Sequence, residues 1–309
     1  MRIDISDRAS GVLCGASAFG MWGLLPLYWK LLNKVPAYEI LAHRVFWSFI
    51  FVGMILVIGS KAAKVKEAIK DRKSMLFITI CSLMIGINWF LYIWAVNSNH
   101  IVESSMGYYI NPLMSILFGM TVLKEKFGFW QYTALISAAG GVVYITVQFG
   151  SLPWIALALS VSFALYGLFK KMVRLESAVG LFLETSILAP AAVVFLITKQ
   201  TEGSAAFLNS SLTVNILLAC SGLVTATPLL LFAKGAKKVE LSTIGFLQYI
   251  SPSISLILGI AIFKEHFSKT HIVGFGFIWT GILVFSLSQL NFFKKRFSTV
   301  NKLKEVESE

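Results

Sequence analysis

One segment of this chain occurs twice, once in each half of a very apolar sequence. The stretch 109–127 shares eight residues with 249–267 at identical spacing: Tyr, Ile, Pro, Ser, Gly, Lys, Glu and Phe. A second similarity links Phe19-Gly-Met-Trp22 with Phe163-Ala-Leu-Tyr166. A register kept over so many positions indicates a chain built from two copies of one unit.

The composition of the chain indicates that both copies span a membrane. Apolar residues form 57% of the chain and charged residues 14%, far from the balance of a soluble domain. A helix needs about 20 mostly apolar residues to cross a bilayer, and ten segments qualify: 11–31, 37–59, 74–96, 103–123, 128–147, 152–169, 178–198, 212–233, 241–263 and 270–290. Their apolar runs are continuous, whereas the strands of a membrane barrel alternate. The predicted fold class is therefore all-α integral membrane, with ten transmembrane helices.

Charge distribution predicts how these helices are oriented. Twenty-one of the 27 Lys and Arg residues fall on the side of the N-terminus and five on the other, with Arg44 inside a span. Basic residues concentrate on cytoplasmic loops, so both termini are expected in the cytoplasm. Five helices per half then require inverted repeats, 9–147 and 152–290, followed by a basic tail, 291–309. The net charge of +12 reflects topology and anionic lipid, and no nucleic-acid partner is expected.

The repeated prolines indicate where a binding site would lie. Inverted repeats are typical of alternating-access transporters, whose substrate site lies near the midplane. Pro112 and Pro252 both fall about 14–16 Å into their spans. Each removes a backbone hydrogen bond and frees the carbonyl four residues earlier, at Tyr108 and Gln248. Such carbonyls are tolerated where they face protein or a water-filled cavity, although a packing kink is the alternative interpretation.

Deep aromatic and polar residues are the candidates for the walls of that cavity. Trp22, Trp89 and Asn88 lie within spans and either line an aromatic cavity or pack in the core, whereas Trp29 suits an interfacial belt. The predicted substrate path comprises Trp22, Asn88, Trp89, Tyr108, Tyr109, Asn111, Pro112, Gln248, Tyr249 and Pro252.

Ionisable residues in the spans are candidates for gates. Each costs about 2.5–3.5 kcal/mol on insertion scales, so such groups usually face the interior or a water-filled path. Arg44 and Glu103 have similar depth and are predicted to form an outer gate, and Glu184 an inner one. Glu39 and His43 share a helix face. Solvated helix ends for Glu39 and Glu103, and a buried structural pair for Arg44 or Glu184, are the alternatives; Glu103 or Glu184 could also carry a coupling proton.

Catalytic and metal-binding motifs are not found. The chain has no G-x-x-x-x-G-K-[ST] loop and no His-Glu-x-x-His helix, so neither ATP hydrolysis nor metal chemistry is predicted, and no cofactor is expected. Cys14, Cys81 and Cys220 lie far apart in apolar spans and are predicted to be buried small hydrophobes rather than disulfide or metal partners. A channel and an intramembrane enzyme are the rival classes to a transporter.

Several motifs resemble a known family. Segments 35–44, 88–97, 107–113 and 245–252 are similar to helices two, three, four and nine of the drug/metabolite transporter superfamily of the EamA type. They resemble most its RarD branch, the so-called chloramphenicol-sensitive proteins. The resemblance covers about residues 9–290. It implies a multi-pass permease of the bacterial inner membrane, not an enzyme, with a central cavity between the halves.

These observations predict a secondary transporter that moves a small organic metabolite or drug across the membrane, outward, by alternating access. Its expected partners are the substrate, the lipid bilayer and a proton or other coupling ion.

Overall fold

The computed structural model describes residues 5–98, 100–148, 150, 154–262 and 269–288. This part of the chain is helical, without strands. The helices are α1 (Ile5–Leu31), α2 (Ala37–Ile58), α3 (Ala62–Lys70), α4 (Arg72–Asn97), α5 (Ile101–Thr121), α6 (Phe129–Gln148), α7 (Trp154–Met172), α8 (Ser177–Thr201), α9 (Leu212–Lys238), α10 (Leu241–Gln248), α11 (Ile250–Ala261) and α12 (Lys269–Ser288).

Several of these helices are built to cross a membrane. Within the described ranges, seven are long and apolar enough: Ser6–Leu31, Ala37–Ile58, Arg72–Tyr92, Trp154–Met172, Ser177–Thr201, Leu212–Lys238 and Leu241–Ala261. A shorter apolar helix covers Ile272–Ser288. Large apolar side chains also point outward, for example Val57 at 74% and Ile136 at 70% exposure. So apolar an exterior suits hydrocarbon rather than water.

Helix boundaries repeat along the chain as the residues do. Four helices of the second half begin where the offset between the two repeated segments predicts, each matching a helix of the first half. The paired first residues are Ala37 and Ser177, Arg72 and Leu212, Ile101 and Leu241, and Phe129 and Lys269. The similarity first seen in two short segments therefore extends across most of each half.

The two halves interleave. Helix α1 packs against α9 and α11, α7 packs against α4 and α5, and α6 lies along α12. Glycines allow the closest approaches: a Cβ added at Gly222 would lie 2.2 Å from the carbonyl carbon of Trp47, and one at Gly141 2.5 Å from the carbonyl oxygen of Gly274. Membrane helices associate through such small residues, so helices from the two halves pack directly against each other.

The two repeated prolines have different effects. Helix α5 continues through Pro112, whereas the ninth predicted span divides at Tyr249 into α10 and α11. Pro252 lies in the first turn of α11 and cannot donate a backbone bond to Gln248, the last residue of α10. Polar backbone is therefore freed in the second half at the depth where the sequence predicts a site.

The connection between α2 and α4 contains a short helix that the sequence did not predict. Lys61 and Lys64 of this segment both pair with Glu176, with a Lys64–Glu176 distance of 3.0 Å. Hydrogen bonds from these ammonium groups hold the pKa of the Glu176 carboxyl below its usual value. Helix α3 therefore lies at the same end of the molecule as the connection between α7 and α8.

Candidate functional site

Arg44 lies two turns into α2 and faces three other helices. Its Nε donates to the Thr225 hydroxyl of α9 at 3.0 Å. Its Cζ lies 4.9 Å from the ring centroid of Trp29 on α1 and 5.1 Å from that of Trp89 on α4. A cation over a Trp face gains about 0.5–2 kcal/mol, more when it is desolvated. The guanidinium is thus held at the meeting point of α1, α2, α4 and α9.

Two tyrosines extend this group towards α5. The rings of Tyr92 and Tyr108 lie 6.4 Å apart, nearly edge to face, their side chains share a hydrogen bond, and both interact electrostatically with Arg44. Tyr108 is nevertheless 50% exposed. Tyr108 therefore belongs to the same group of side chains and keeps part of its surface uncovered. We call this group the arginine cluster: Arg44, Trp29, Trp89, Tyr92, Tyr108 and Thr225.

Helix α10 crosses α5 within the first repeated segment. A Cβ added at Gly245 would lie 2.9 Å from the Pro112 carbonyl oxygen, and the Gln248 side-chain amide donates to the Ser115 hydroxyl at 2.8 Å. Some buried oxygens nearby have no hydrogen-bond partner among the described residues: Asn111 Oδ1, Gln248 Oε1 and Tyr249 Oη. Buried polar atoms are normally paired. This crossing therefore has hydrogen-bond acceptors that are available to a ligand or to water.

An aromatic cluster packs between α1, α7 and α9. Its centre is Phe232, whose ring lies 5.8–5.9 Å from each of the other four members. These members are the aromatic residues of the two similar N-terminal motifs: Phe19, Trp22, Phe163 and Tyr166. The motifs thus meet in space, and their contact ties the two halves together at this depth.

Glu184 is paired deep in the protein with a residue that the charge count had assigned to a loop. Lys170 Nζ lies 2.5 Å from Glu184 Oε1, and the two side chains are 1% and 2% exposed. The Tyr166 hydroxyl donates to Glu184 Oε2 at 3.3 Å. The pair links α7 to α8, so this carboxylate is compensated within the second half.

Glu39 is completely buried rather than a solvated helix end. Its Oε1 accepts a hydrogen bond from the Ala206 backbone N–H at 2.6 Å and lies 3.9 Å from Nε2 of His43. A cavity of about 240 Å³ lies beside both side chains, between α2, α8 and the connection that follows α8. Glu39 therefore anchors that connection onto α2.

Glu125 holds the start of α10. Its two carboxylate oxygens accept from the backbone N–H groups of Leu241 at 2.6 Å and Ser242 at 2.9 Å. The first N–H groups of a helix have no partner within the helix, and a negative charge there is favourable. The connection after α5 is thereby attached to the second half.

Asn88 also joins the two halves. Its side-chain amide donates to the Leu159 carbonyl at 2.8 Å and to the Ser162 hydroxyl at 3.0 Å, both on α7. These bonds occupy both donors of the amide. Asn88 therefore has a packing role in this conformation, and lining the substrate path stays a prediction.

The remaining predicted site residues lie near this region or outside the described residues. Tyr109 packs edge-on against Phe275, with ring centroids 5.2 Å apart, and Pro252 is buried. Glu103 lies in the first turn of α5, but its side chain is outside the described residues. Its predicted pairing with Arg44 stays a prediction.

Sequence reasoning missed four residues with clear contacts. Trp29 was assigned to the membrane interface but faces Arg44, and Thr225 had no signal. Lys170 and Glu125 did carry one, because an ionisable residue at the edge of an apolar span can pair inward, and Glu125 belongs to the repeated segment.

A basic groove of about 460 Å³ lies where α7 and α9 end. Its charged residues are Lys171, Arg174, Glu176, Lys234, Lys237 and Lys238. Two of the lysines donate to carbonyl oxygens there: Lys171 to Ala236 at 3.2 Å, and Lys237 to Leu175. Cations at helix C-termini are favourable, and the groove has an excess of positive charge.

A solved crystal structure has the same fold. Its TM-score with this chain is 0.70 at 19% identity, and the match covers 91% of this chain and 98% of the other. At this level of identity the likeness concerns the fold alone.

Sequence relatives carry transporter names. "Uncharacterized transporter YojE" of Bacillus subtilis is 44% identical over 92% of this chain and 96% of its own length. "Protein RarD" of Escherichia coli is 38% identical over 93% and 97%, and "Protein RarD" of Streptomyces exfoliatus 37% identical over 92% and 90%. The EamA-like transporter family model matches residues 9–147 and again 152–287. With its apolar helices, this chain is a multi-pass transporter of the bacterial inner membrane, and it belongs to the EamA-like transporter family, in its RarD branch.

Proposed function

We propose that this protein is a secondary carrier that moves a small organic compound across the inner membrane by alternating access. In this proposal ten helices span the bilayer in two inverted halves, with α10 and α11 forming one span and both termini in the cytoplasm. The equal spacing of helix starts supports the repeat, as does the double match of the family model. Inversion follows from five spans per half and from the charge asymmetry.

The observation that carries the mechanism is the contact of Glu125 with the start of α10. Glu265 is the repeat counterpart of Glu125, just as Leu241 at the start of α10 is the counterpart of Ile101 at the start of α5. Glu265 lies outside the described residues. We propose that it binds the start of α5 in the other conformation, so that one carboxylate holds the cytoplasmic end closed and the other the outer end.

Other contacts support a closed cytoplasmic end in the present conformation. The aromatic cluster around Phe232 and the Lys170–Glu184 pair lie on the side where α7 ends. The exposed Tyr108 lies on the opposite side of the α5–α10 crossing. We therefore assign this conformation as open to the outside.

Within this mechanism the predicted residues take separate roles. Substrate binds between the arginine cluster and the α5–α10 crossing, where Asn111, Gln248 and Tyr249 supply acceptors and Tyr108 forms a wall. Glu184 belongs to the inner gate. Glu103 belongs to the outer gate, and Glu39 with His43 positions the connection that covers it.

The test is flux through proteoliposomes containing purified protein and a mixed panel of radiolabelled metabolites and drugs. A carrier gives saturable uptake and accelerated exchange when the same compound is preloaded, whereas a channel gives flux that does not saturate. The matched variants are Glu125→Gln and Glu265→Gln, which should each slow exchange while leaving ligand binding measurable. The expected direction of transport is outward. Comparing flux in right-side-out vesicles with flux in inverted vesicles measures this direction.

Flux of every panel member that is linear with concentration would show a channel and overturn the proposal. Saturable transport that neither glutamate variant slows would leave a carrier whose gates lie elsewhere. Chemical change of a panel compound without transport would support an intramembrane enzyme instead.

A further inference from the structure

The structure describes no carboxylate beside the positive charge of Arg44. Within the described part of the chain no Asp or Glu lies at ion-pair distance from its guanidinium. Thr225 accepts from one of its five N–H groups, and its other recorded contacts are rings. A charged group among membrane helices usually pairs with an opposite charge or faces water, so with respect to the described side chains Arg44 has charge and donors to spare.

Glu184, the repeat counterpart of Arg44, differs from it in having a charged partner among the described residues. Glu184 occupies the position on α8 that Arg44 occupies on α2, yet it carries the opposite charge and has its own partner in Lys170. The pair is almost completely buried. Glu184 is therefore not the counter-ion of Arg44, and of these two matching positions only that of Arg44 is left without charge compensation among the described residues.

Resting on the proposed carrier function, we infer that Arg44 binds the carboxylate of the transported compound, which is an organic anion with a flat apolar body. A guanidinium stacked on aromatic rings still presents its N–H groups in its own plane, in the fork geometry that matches a carboxylate. Tyr92 and Tyr108, whose rings lie 6.4 Å apart in the same cluster, add two hydroxyl groups to it. The indole rings of Trp29 and Trp89 supply apolar faces for the rest of the molecule.

The distribution of charge at the other end of the molecule fits the same substrate class. The groove where α7 and α9 end contains five cationic side chains and a single carboxylate, Glu176. A cleft lined mainly by one sign of charge raises the local concentration of the opposite ion. An anion released or collected there meets a favourable potential, whereas an organic cation would be repelled.

Two other anions could neutralise Arg44, and both are outcomes of the test. One is Glu103, whose position in α5 gives it a depth similar to that of Arg44. The other is the phosphate of an anionic lipid reaching between the helices. Either would make the charge a structural feature rather than a substrate site.

The test compares three probes of nearly equal shape: 3-phenylpropionate, its neutral amide, and 3-phenylpropylamine. Binding to the purified full-length protein in neutral detergent is measured by calorimetry and by thermal shift. We expect the carboxylate to bind at least tenfold more tightly than the amide, and the amine not at all. A hydrogen bond to a charged group corresponds to roughly ten- to hundredfold in affinity.

Variants assign the effect to one side chain. Arg44→Gln should lose carboxylate preference, and Arg44→Lys should keep only part of it because an ammonium lacks the planar fork. Arg72→Gln, at an exposed arginine on α4, is the matched control and should bind like the native protein. Glu103→Gln should leave the preference intact, and added phosphatidylglycerol should not abolish it.

Equal binding of the three probes by the native protein would overturn the inference without involving any variant. A large gain of carboxylate affinity in Glu103→Gln would also overturn it, because it would show that Glu103 neutralises Arg44 in the native protein. Complete displacement of the probe by phosphatidylglycerol would overturn it as well. Saturable transport of neutral or cationic panel compounds alone would refute the anion site but support the proposed carrier function. Arg44-dependent carboxylate binding without any saturable flux would support the anion site but refute the carrier function.

Discussion

Lys170 lies 2.5 Å from Glu184 across the α7–α8 contact, and neither side chain reaches solvent to more than 2%. Taking two charges out of water costs several kcal/mol per ion, which only close pairing and further hydrogen bonds offset. The Tyr166 hydroxyl supplies one of these bonds. The two charges therefore depend on each other, and each is far more costly alone than the pair.

Lys170→Met should destabilise the protein by roughly 3–5 kcal/mol because it leaves the Glu184 carboxylate buried without its partner. Thermal unfolding in detergent measures the change. The double variant Lys170→Met/Glu184→Met should recover most of the loss. A single variant as stable as the native protein would show that the pair is hydrated or mobile.

Gly222→Ala should separate α2 from α9, because the new methyl group would meet the Trp47 backbone at 2.2 Å. Overpacking of this kind typically costs about 1–3 kcal/mol, and thermal unfolding reports it. Gly276→Ala is the matched control, since a Cβ there has no atom within 4 Å. Equal melting temperatures for the two variants would contradict the close α2–α9 contact.

Glu125→Gln should weaken the hold on the start of α10 by roughly 0.5–2 kcal/mol, the usual worth of a helix N-cap. The population with an open cytoplasmic end should rise several-fold as a result. A cysteine at Ser242, now 3% exposed, measures this through its labelling rate in inverted vesicles. Glu67→Gln, at an exposed position on α3, should leave the rate unchanged, and identical rates for both variants would disprove the role of Glu125.

Topology can be tested with two exposed positions at opposite ends of the helices. In a variant without Cys14, Cys81 and Cys220, a cysteine at Ser210 should react with an impermeant maleimide added to intact cells. A cysteine at Glu67 should react only after the cells are opened. The reverse pattern would place the termini outside, and equal labelling would refute the predicted topology.

Sequence reasoning located the helices better than it located the site. The predicted segment 37–59 agrees closely with α2, and 212–233 begins where α9 begins, because apolar length is a local property. The amphipathic α3 was missed since it is short and basic. The sequence predicted a kink at each repeated proline, and the helix does break near Pro252, at Tyr249. Helix α5 stays continuous through Pro112. Whether a proline breaks a helix depends on the packing around it, which sequence does not reveal.

The contacts of Arg44 could not be predicted from sequence. Its partner Thr225 lies on α9, in the other half of the chain, and neither spacing nor composition links them. Depth arguments proposed Glu103 as its partner and treated Trp29 as an interfacial anchor. Which helix faces which is decided by glycines such as Gly222, where two backbones meet closely, and such contacts are visible only in three dimensions.

The interleaving of the halves has a consequence for how the protein is made. When the first five predicted spans have left the ribosome, most of the helices that they will pack against have not yet been synthesised. At about 5–20 residues per second, the wait for the second half is on the order of ten seconds or more. During that time Asn88 and the surface opposite Gly222 face lipid or the insertion machinery. The first half is thus an assembly intermediate that is completed only when the second half packs against it. The two halves, produced as separate chains, should form a functional transporter only when they are co-expressed in the same cell.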